Sequence, residues 1–306
     1  MVDVIGWLVR DADPAIRALA RADLLAETPG EDVASGPMVQ ALLDGDWPGL
    51  HPYSKWTGAH WRLISLVELG VPPDEPQLTR MVEHVLGWLA DRERIARAPV
   101  IGGKTRRHAS QEGNGLTACC RLGLSADRRV AVLAATLLES QWPDGGWNCD
   151  RHVETQHSSF HETLPALWGL YEFGKATGDA EATTAAARGA ELLLGRRLFK
   201  RHHNGSVIHP SWIALHYPPY WHYDILQALL VLSRMGRAGD PRAADALDRL
   251  ATLRLADGWW RSGGRWWNPP GSARYPEVVD WGRSGPNFMI TLNALRVLRA
   301  AGRNVP

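Results

Sequence analysis

The chain has 306 residues and a formal net charge of +1, from 34 Lys plus Arg against 33 Asp plus Glu. Hydrophobic residues are 45% and charged residues 22% of it, which excludes a disordered chain, a collagen and a coiled-coil rod. The balanced charge argues against a nucleic-acid binder that works through a basic field.

Met1 to Asp13 carries Asp3, Arg10, Asp11 and Asp13 and lacks the apolar core of a signal peptide. No run approaches roughly 18 apolar residues, so no membrane span is expected. Both observations lead to the expectation of a cytoplasmic protein. Asp13-Pro14 is a helix start, an N-cap followed by Pro at the first helical position. The helix it opens, 13–27, is similar to a HEAT-type helix and marks residues 1–45 as an N-terminal edge.

From there the chain repeats. Leu-rich helical segments run into Gly70, Gly123, Gly174, Gly236 and Gly302. Gly after the last turn is the favoured left-handed cap. Between them lie amphipathic helices expected at 76–92, 127–141, 180–197 and 241–255, the last opened by Asp240-Pro241. No strand runs with hairpin turns are expected, so the chain reads as all-α, built from helix pairs. The Gly-terminated set is apolar on most sides, as in Leu229-Leu230-Val231-Leu232, and is read as buried. The other set is read as outside. An inner and an outer ring would satisfy this pattern, and so would an open solenoid.

Cysteine is sparse and odd in number, at Cys119, Cys120 and Cys149, which gives no disulfide framework. Tryptophan is abundant, 15 residues against 4 Phe and 6 Tyr, and each indole needs a core, an interface or a ligand to cover it. Several sit in turns. One turn reads Gln141-Trp142-Pro143-Asp144-Gly145-Gly146-Trp147, with a degenerate copy at Asp257-Gly258-Trp259-Trp260 and a fainter one at Asp44-Gly45-Asp46-Trp47. Gly-Gly makes a tight reversal, Gln141 can bond helix-end backbone, and Trp147 can cover a helix end.

This turn resembles the QW repeat of squalene–hopene and oxidosqualene cyclases and of prenyltransferase β subunits. The resemblance covers most of residues 45–302. It implies one α/α-toroid domain spanning 1–306, with about five to six helix pairs. It further implies a central apolar cavity lined by the starts of the inner helices, and an enzyme acting on an isoprenoid or other small apolar substrate by cyclisation, elimination or transfer. The inner-helix starts supply the substrate-binding candidates: Trp56, His60 and Trp61, then Asn114, then Tyr220, Trp221 and Tyr223, then Asn287. The Asp-rich acid motifs of the triterpene cyclases do not occur. In the β subunits zinc is held by an Asp-x-Cys and a His two inner helices on. Here His222 occupies the place of that His, while Gln156-His157-Ser158 replaces the Asp-x-Cys. The zinc-ligand candidates are therefore Cys149, His157 and His222.

Residues 149–161 hold the densest set of ligand-type side chains, with His157 and His161 four apart and so on one face of a helix. Asp150, His161 and Glu112 are the acid–base candidates, since burial tunes carboxylates and imidazoles toward neutral pH. The same residues also read as a polar loop and a capped helix. The basic stretch Lys104-Thr105-Arg106-Arg107-His108 reads as a solvated loop or as a basic loop over a cavity mouth. Gly102-Gly103-Lys104-Thr105 lacks the first glycine of a phosphate loop. Arg196, Arg197, Lys200 and Arg201 read as a solvated turn or an anion site. Two other readings stay open: a non-catalytic helical-repeat binding module, and a metal-free acid–base lyase or isomerase. No feature points to a protein partner.

Overall fold

The computed structural model describes residues 3–282 and 285–303. The chain opens with α1 (Val4–Asp11), α2 (Pro14–Ala20), α3 (Pro37–Leu43) and α4 (Ala59–Glu68), and a π-helical turn, Arg21–Leu25, extends α2. Then come α5 (Pro76–Leu89), α6 (Arg92–Ala96), β1 (Val100–Ile101), β2 (Lys104–Thr105), α7 (Ala109–Arg121), α8 (Arg128–Ser140), α9 (Phe160–Thr177) and α10 (Ala180–Gly195). It closes with α11 (Ile225–Arg234), α12 (Ala244–Thr252) and α13 (Phe288–Ala300). The all-α class holds. No described helix is long and apolar enough to cross a membrane.

The described residues fall into two compact units. One gathers Met1–Glu75, Arg196–Pro219 and Asp224–Pro306; the other gathers Pro76–Gly195 and Tyr220–Tyr223. In the first unit α4, α11 and α13 are buried on most sides, and α12 buries one face through Ala246, Leu247 and Leu250. In the second, α7 and α9 are buried, while α5, α8 and α10 are amphipathic. The two helix sets expected from hydropathy are thus real within each unit.

The start signals act as expected. Asp13 Oδ1 accepts the Ala15 amide at 3.0 Å, and Asp240 Oδ1 accepts the Arg242 amide at 2.9 Å in the 3₁₀ turn before α12. Gly70, Gly123, Gly236 and Gly302 follow their helices in the left-handed region. Gly174 does not. Helix α9 continues to Thr177 and ends on Gly178. A Cβ on Gly174 would lie 2.4 Å from Thr183 Oγ1, so this glycine serves the close approach of α10. The sequence also concealed a hairpin: β1 pairs with β2 antiparallel across Gly102-Gly103, both with positive φ. Such a glycine pair suits the tightest hairpin turn.

The repeated turn has the same bonding in both units. Around Gly145, Trp142 N donates to Gly146 O at 2.8 Å and Gly145 N to Trp142 O at 2.9 Å. Around Gly258, Leu255 N donates to Trp259 O and Gly258 N to Leu255 O, both at 2.8 Å. The buried Trp147 indole donates to Leu137 O at 2.9 Å, and Trp260 does the same to Leu250 O at 2.8 Å. Each tryptophan amide donates to the threonine of the following helix, Thr163 at 3.2 Å or Thr291 at 3.1 Å. Gln141 Nε2 donates to Gly145 O at 2.8 Å, and Arg254 Nε takes that role toward Gly258 O at 2.9 Å. In the third copy Trp47 bonds Leu43 O at 3.0 Å, and the buried Arg62 ties the end of α3 by bonding Ala41, Leu42 and Asp44 carbonyls.

Candidate functional site

The site grows from the packing of α7 on α9. A Cβ on Gly113 would lie 2.4 Å from the Pro165 backbone, and one on Gly169 would lie 2.6 Å from Gly113 O. Only glycine permits this approach. It sets the first turn of α9 beside the first turn of α7. His108 occupies the N-cap position of α7 without a side-chain capping bond. Glu162 supplies a cap instead: its Oε2 accepts the Ser110 amide at 2.8 Å. A carboxylate at a helix N-terminus is favoured by the macrodipole and the unpaired amides there.

The repeat turn delivers the third member. Ser159 N donates to Trp147 O at 2.8 Å, and Asp144 accepts Ser158 N at 2.8 Å and Ser158 Oγ at 2.6 Å. Asn148 Nδ2 donates to His157 O at 2.8 Å, and Arg107 N donates to Asn148 O at 3.1 Å. These bonds close the loop 148–159 against the starts of α7 and α9 and bring in Cys149. One ligand atom each from His108, Cys149 and Glu162 then lie within 4.8 Å of one another. Among the described residues this is the one such group of three or more His, Cys, Asp and Glu.

The charges in this cluster are linked. His108 Nδ1 lies 3.8 Å from Glu162 Oε1. That carboxylate raises the His108 pKa above its ordinary value, against the opposing effect of partial burial. Burial pushes Glu162 up, but His108, the Ser110 amide and Cys149 outweigh it and hold the carboxyl below its ordinary value. Burial first, and the Glu162 charge second, push the Cys149 thiol up to about 12. Cys149 is therefore a protonated thiol at neutral pH, and without a nearby cation it is a poor nucleophile.

The sequence candidates divide among several places. Cys149 belongs to this cluster, but the structure does not group it with His157 and His222. His157 is exposed, because the loop uses its backbone carbonyl to hold Asn148 and turns the ring to solvent. The residues beside Cys149 are instead His108 and Glu162. Asp150 organises its own loop, accepting His152 N at 3.0 Å and Thr155 Oγ1 at 2.7 Å, and these two donors lower its pKa.

His161 and His222 meet elsewhere in the same unit. Tyr223 N donates to His161 Nδ1 at 2.9 Å, so a neutral His161 carries its proton on Nε2. His161 faces Trp221, His222 and Tyr223 at centroid distances of 5.6, 6.4 and 6.5 Å, and Trp221 stacks on His222 at 3.9 Å. Asn114 Nδ2 donates to Tyr220 O at 3.2 Å, and Phe160 meets Tyr223 edge-on at 5.0 Å. The structure thus gathers Asn114, His161, Tyr220, Trp221, His222 and Tyr223 into one aromatic and imidazole group.

In the other unit Trp56, His60 and Trp61 form a buried ring cluster, with Trp56 and Trp61 edge-on at 4.9 Å and Trp56 Nε1 donating to Trp266 O at 3.3 Å. Asn287 is a cap: its Oδ1 accepts Ile290 N at 2.9 Å and its Nδ2 donates to Trp281 O at 2.6 Å. Arg197 and Lys200 both bind Asp245, at 2.9 and 2.6 Å, so two of the four charges read as a solvated turn or an anion site are paired.

A cleft of ≈160 Å³ adjoins His108, lined among others by Arg94, Arg97, Arg106, Arg107, Arg151 and Glu112. Glu112 is fully buried and accepts Arg94 at 2.8 Å and Arg107 at 3.1 Å, both on Oε1. Its Oε2, together with Nε of Arg106 and of Arg107, is buried without a hydrogen-bond partner. Each such atom costs about 1–3 kcal/mol. The stretch 104–108 is therefore not a solvated loop: Arg106 and Arg107 are buried. Glu112, an acid–base candidate, lies in this cleft.

No family model matches the chain, and no curated protein matches it.

Proposed function

We propose that the chain is a metal-dependent enzyme of the α/α-toroid type, similar to terpenoid cyclases and prenyltransferase β subunits, in which His108, Cys149 and Glu162 hold a zinc ion. The observation that carries this reading is the convergence of one nitrogen, one sulfur and one oxygen within 4.8 Å. Tetrahedral zinc with bonds of roughly 2.0–2.3 Å needs its ligand atoms about 3.3–3.8 Å apart. A nitrogen and an oxygen take the short end of that range, and the 3.8 Å between His108 Nδ1 and Glu162 Oε1 would close by a few tenths of an ångström on binding. A cation bound there would displace the proton that Glu162 and burial otherwise keep on the Cys149 sulfur.

Zinc bound there, with one position open, would supply an acidified water or an activated substrate thiol. The chain's own residues do the rest. Ser110 N holds Glu162 Oε2, which leaves Oε1 for the ion. Glu112 Oε2 has no donor and can take a proton from a group entering the cleft. The aromatic group of Phe160, Tyr220, Trp221 and Tyr223 suits the apolar part of an isoprenoid-like substrate, whose cationic intermediates aromatic faces stabilise. The toroid and the substrate class rest on the QW-type turn, whose bonding recurs at Gly145 and Gly258.

Metal-free acid–base catalysis is the second reading, favoured by the facing His108 and Glu162. Cobalt(II) titration of chelator-treated protein separates them. The metal reading expects a near-ultraviolet thiolate-to-cobalt band that disappears in Cys149→Ala. A spectrum without that band would rule it out.

A further inference from the structure

The arginine cleft asks for a ligand of unusual hydrogen-bonding character. Five guanidinium groups, those of Arg94, Arg97, Arg106, Arg107 and Arg151, line it, and the lining holds one carboxylate, Glu112. Part of this charge is spent internally. Arg94 and Arg107 share Glu112 Oε1, and Arg97 pairs with Glu93 at 2.7 Å. Arg106 is stacked on Trp142 at 4.6 Å, with Nη1 and Nη2 bonded to the Thr155 and Ile101 carbonyls. Those carbonyls are neutral, so the Arg106 charge is not cancelled. Arg151 is exposed and has no ion-pair or hydrogen-bond partner among the described residues. The cleft is cationic.

Three buried polar atoms of its lining lack partners, and they differ in kind. Arg106 Nε and Arg107 Nε are donors, on side chains 2% and 8% exposed. Glu112 Oε2 is an acceptor, on a residue 0% exposed. A simple anion would satisfy the donors and repel the carboxylate. A ligand that satisfies all three offers negative oxygens and one hydroxyl proton. Sulfate and carboxylates at neutral pH have no proton to give. Hydrogen phosphate has one, and its size suits a cleft much smaller than the roughly 300–1,000 Å³ of sites for larger organic ligands.

We propose that this cleft is a binding site for hydrogen phosphate, whose oxygens accept from Arg106, Arg107 and Arg151 while its hydroxyl donates to Glu112 Oε2. The cleft borders the proposed metal group through His108, but the contacts proposed here are made by Arg106, Arg107, Arg151 and Glu112 and need no metal.

Isothermal titration of inorganic phosphate and of sodium sulfate into chelator-treated protein at pH 7 and matched ionic strength tests it. Saturable phosphate binding is expected, with a preference over sulfate of about 100-fold or more, because sulfate leaves the carboxylate facing an anion. Arg151→Ala, at an exposed position that leaves the fold intact, weakens phosphate binding by about tenfold. Glu112→Gln abolishes the preference for phosphate, as the amide can donate to sulfate. Absence of saturable phosphate heat, equal affinity for sulfate, or unchanged affinity in Arg151→Ala would each overturn the proposal. Because the titration is made without metal, its failure leaves the zinc reading standing, and a failed cobalt titration leaves this one standing.

Discussion

His108 faces Glu162 across the starts of two packed helices, Nδ1 to Oε1 at 3.8 Å. The two residues are fifty-four positions apart in sequence, yet the same Glu162 side chain also caps α7 through Ser110. One carboxylate therefore fixes the helix end and sets the charge of the cluster.

The pair makes stability depend on pH in a defined window. The His108 pKa is raised, so its contribution is complete below about 6.5 and is lost as pH rises through the folded value. The Glu162 pKa is lowered, so its contribution is present above about 4.3 and is lost as pH falls through the folded value. The effect is small because the His108 side chain is 59% exposed. In chelated protein, the His108 ring resonances should titrate above the ordinary histidine value and return toward it in Glu162→Gln. An unchanged titration in that variant would contradict the pairing.

Cys149 should alkylate slowly near neutral pH, since burial and Glu162 push its thiol up to about 12. Removing the charge with Glu162→Gln should speed iodoacetamide labelling at Cys149, read by peptide mass spectrometry. Cys119, raised to about 12 by burial and far less accessible, serves as the internal control. Equal labelling rates in the two proteins would show that the carboxylate does not act on the sulfur.

Gly113→Ala should destabilise the protein by about 1–3 kcal/mol or more, because its Cβ meets Pro165 backbone at 2.4 Å and neither helix can yield locally. Urea unfolding measures it. A neutral result would mean that α7 and α9 are not held this closely.

Trp147→Ala and Trp260→Ala should each cost about 3–5 kcal/mol, since both indoles are fully buried and bonded to a helix-end carbonyl. Similar losses in urea unfolding are expected, as the two turns share their bonding. A large loss at one site alone would show that the copies are not equivalent.

Much of this architecture was legible in the residues. Helix periodicity, the Asp-Pro starts and the glycine ends marked α4, α5, α7, α8, α11, α12 and α13, because those signals act within one turn of chain. Gly174 misled, since a glycine spaced for a cap was serving a close contact with Thr183. The site was half visible. Cys149 stood out as the thiol in a polar loop, and it belongs to the group with His108 and Glu162. His108 and Glu162 did not stand out, because their meeting depends on Gly113 sliding against Pro165, a contact fifty-two positions apart in sequence. The available signal was positional: both residues stand at the start of a buried helix. The arginine cleft was hidden for the same reason. A run of basic residues looks solvated until Trp142 and Glu112 are seen to bury it.

The most direct test of the central claim is the zinc content of untagged protein purified without chelator, by elemental mass spectrometry, beside His108→Ala, Cys149→Ala, Glu162→Gln and His157→Ala. About one zinc per chain is expected in the parent and in His157→Ala, with loss in the other three. No zinc in the parent, or zinc lost in His157→Ala and kept in Glu162→Gln, would contradict the assignment.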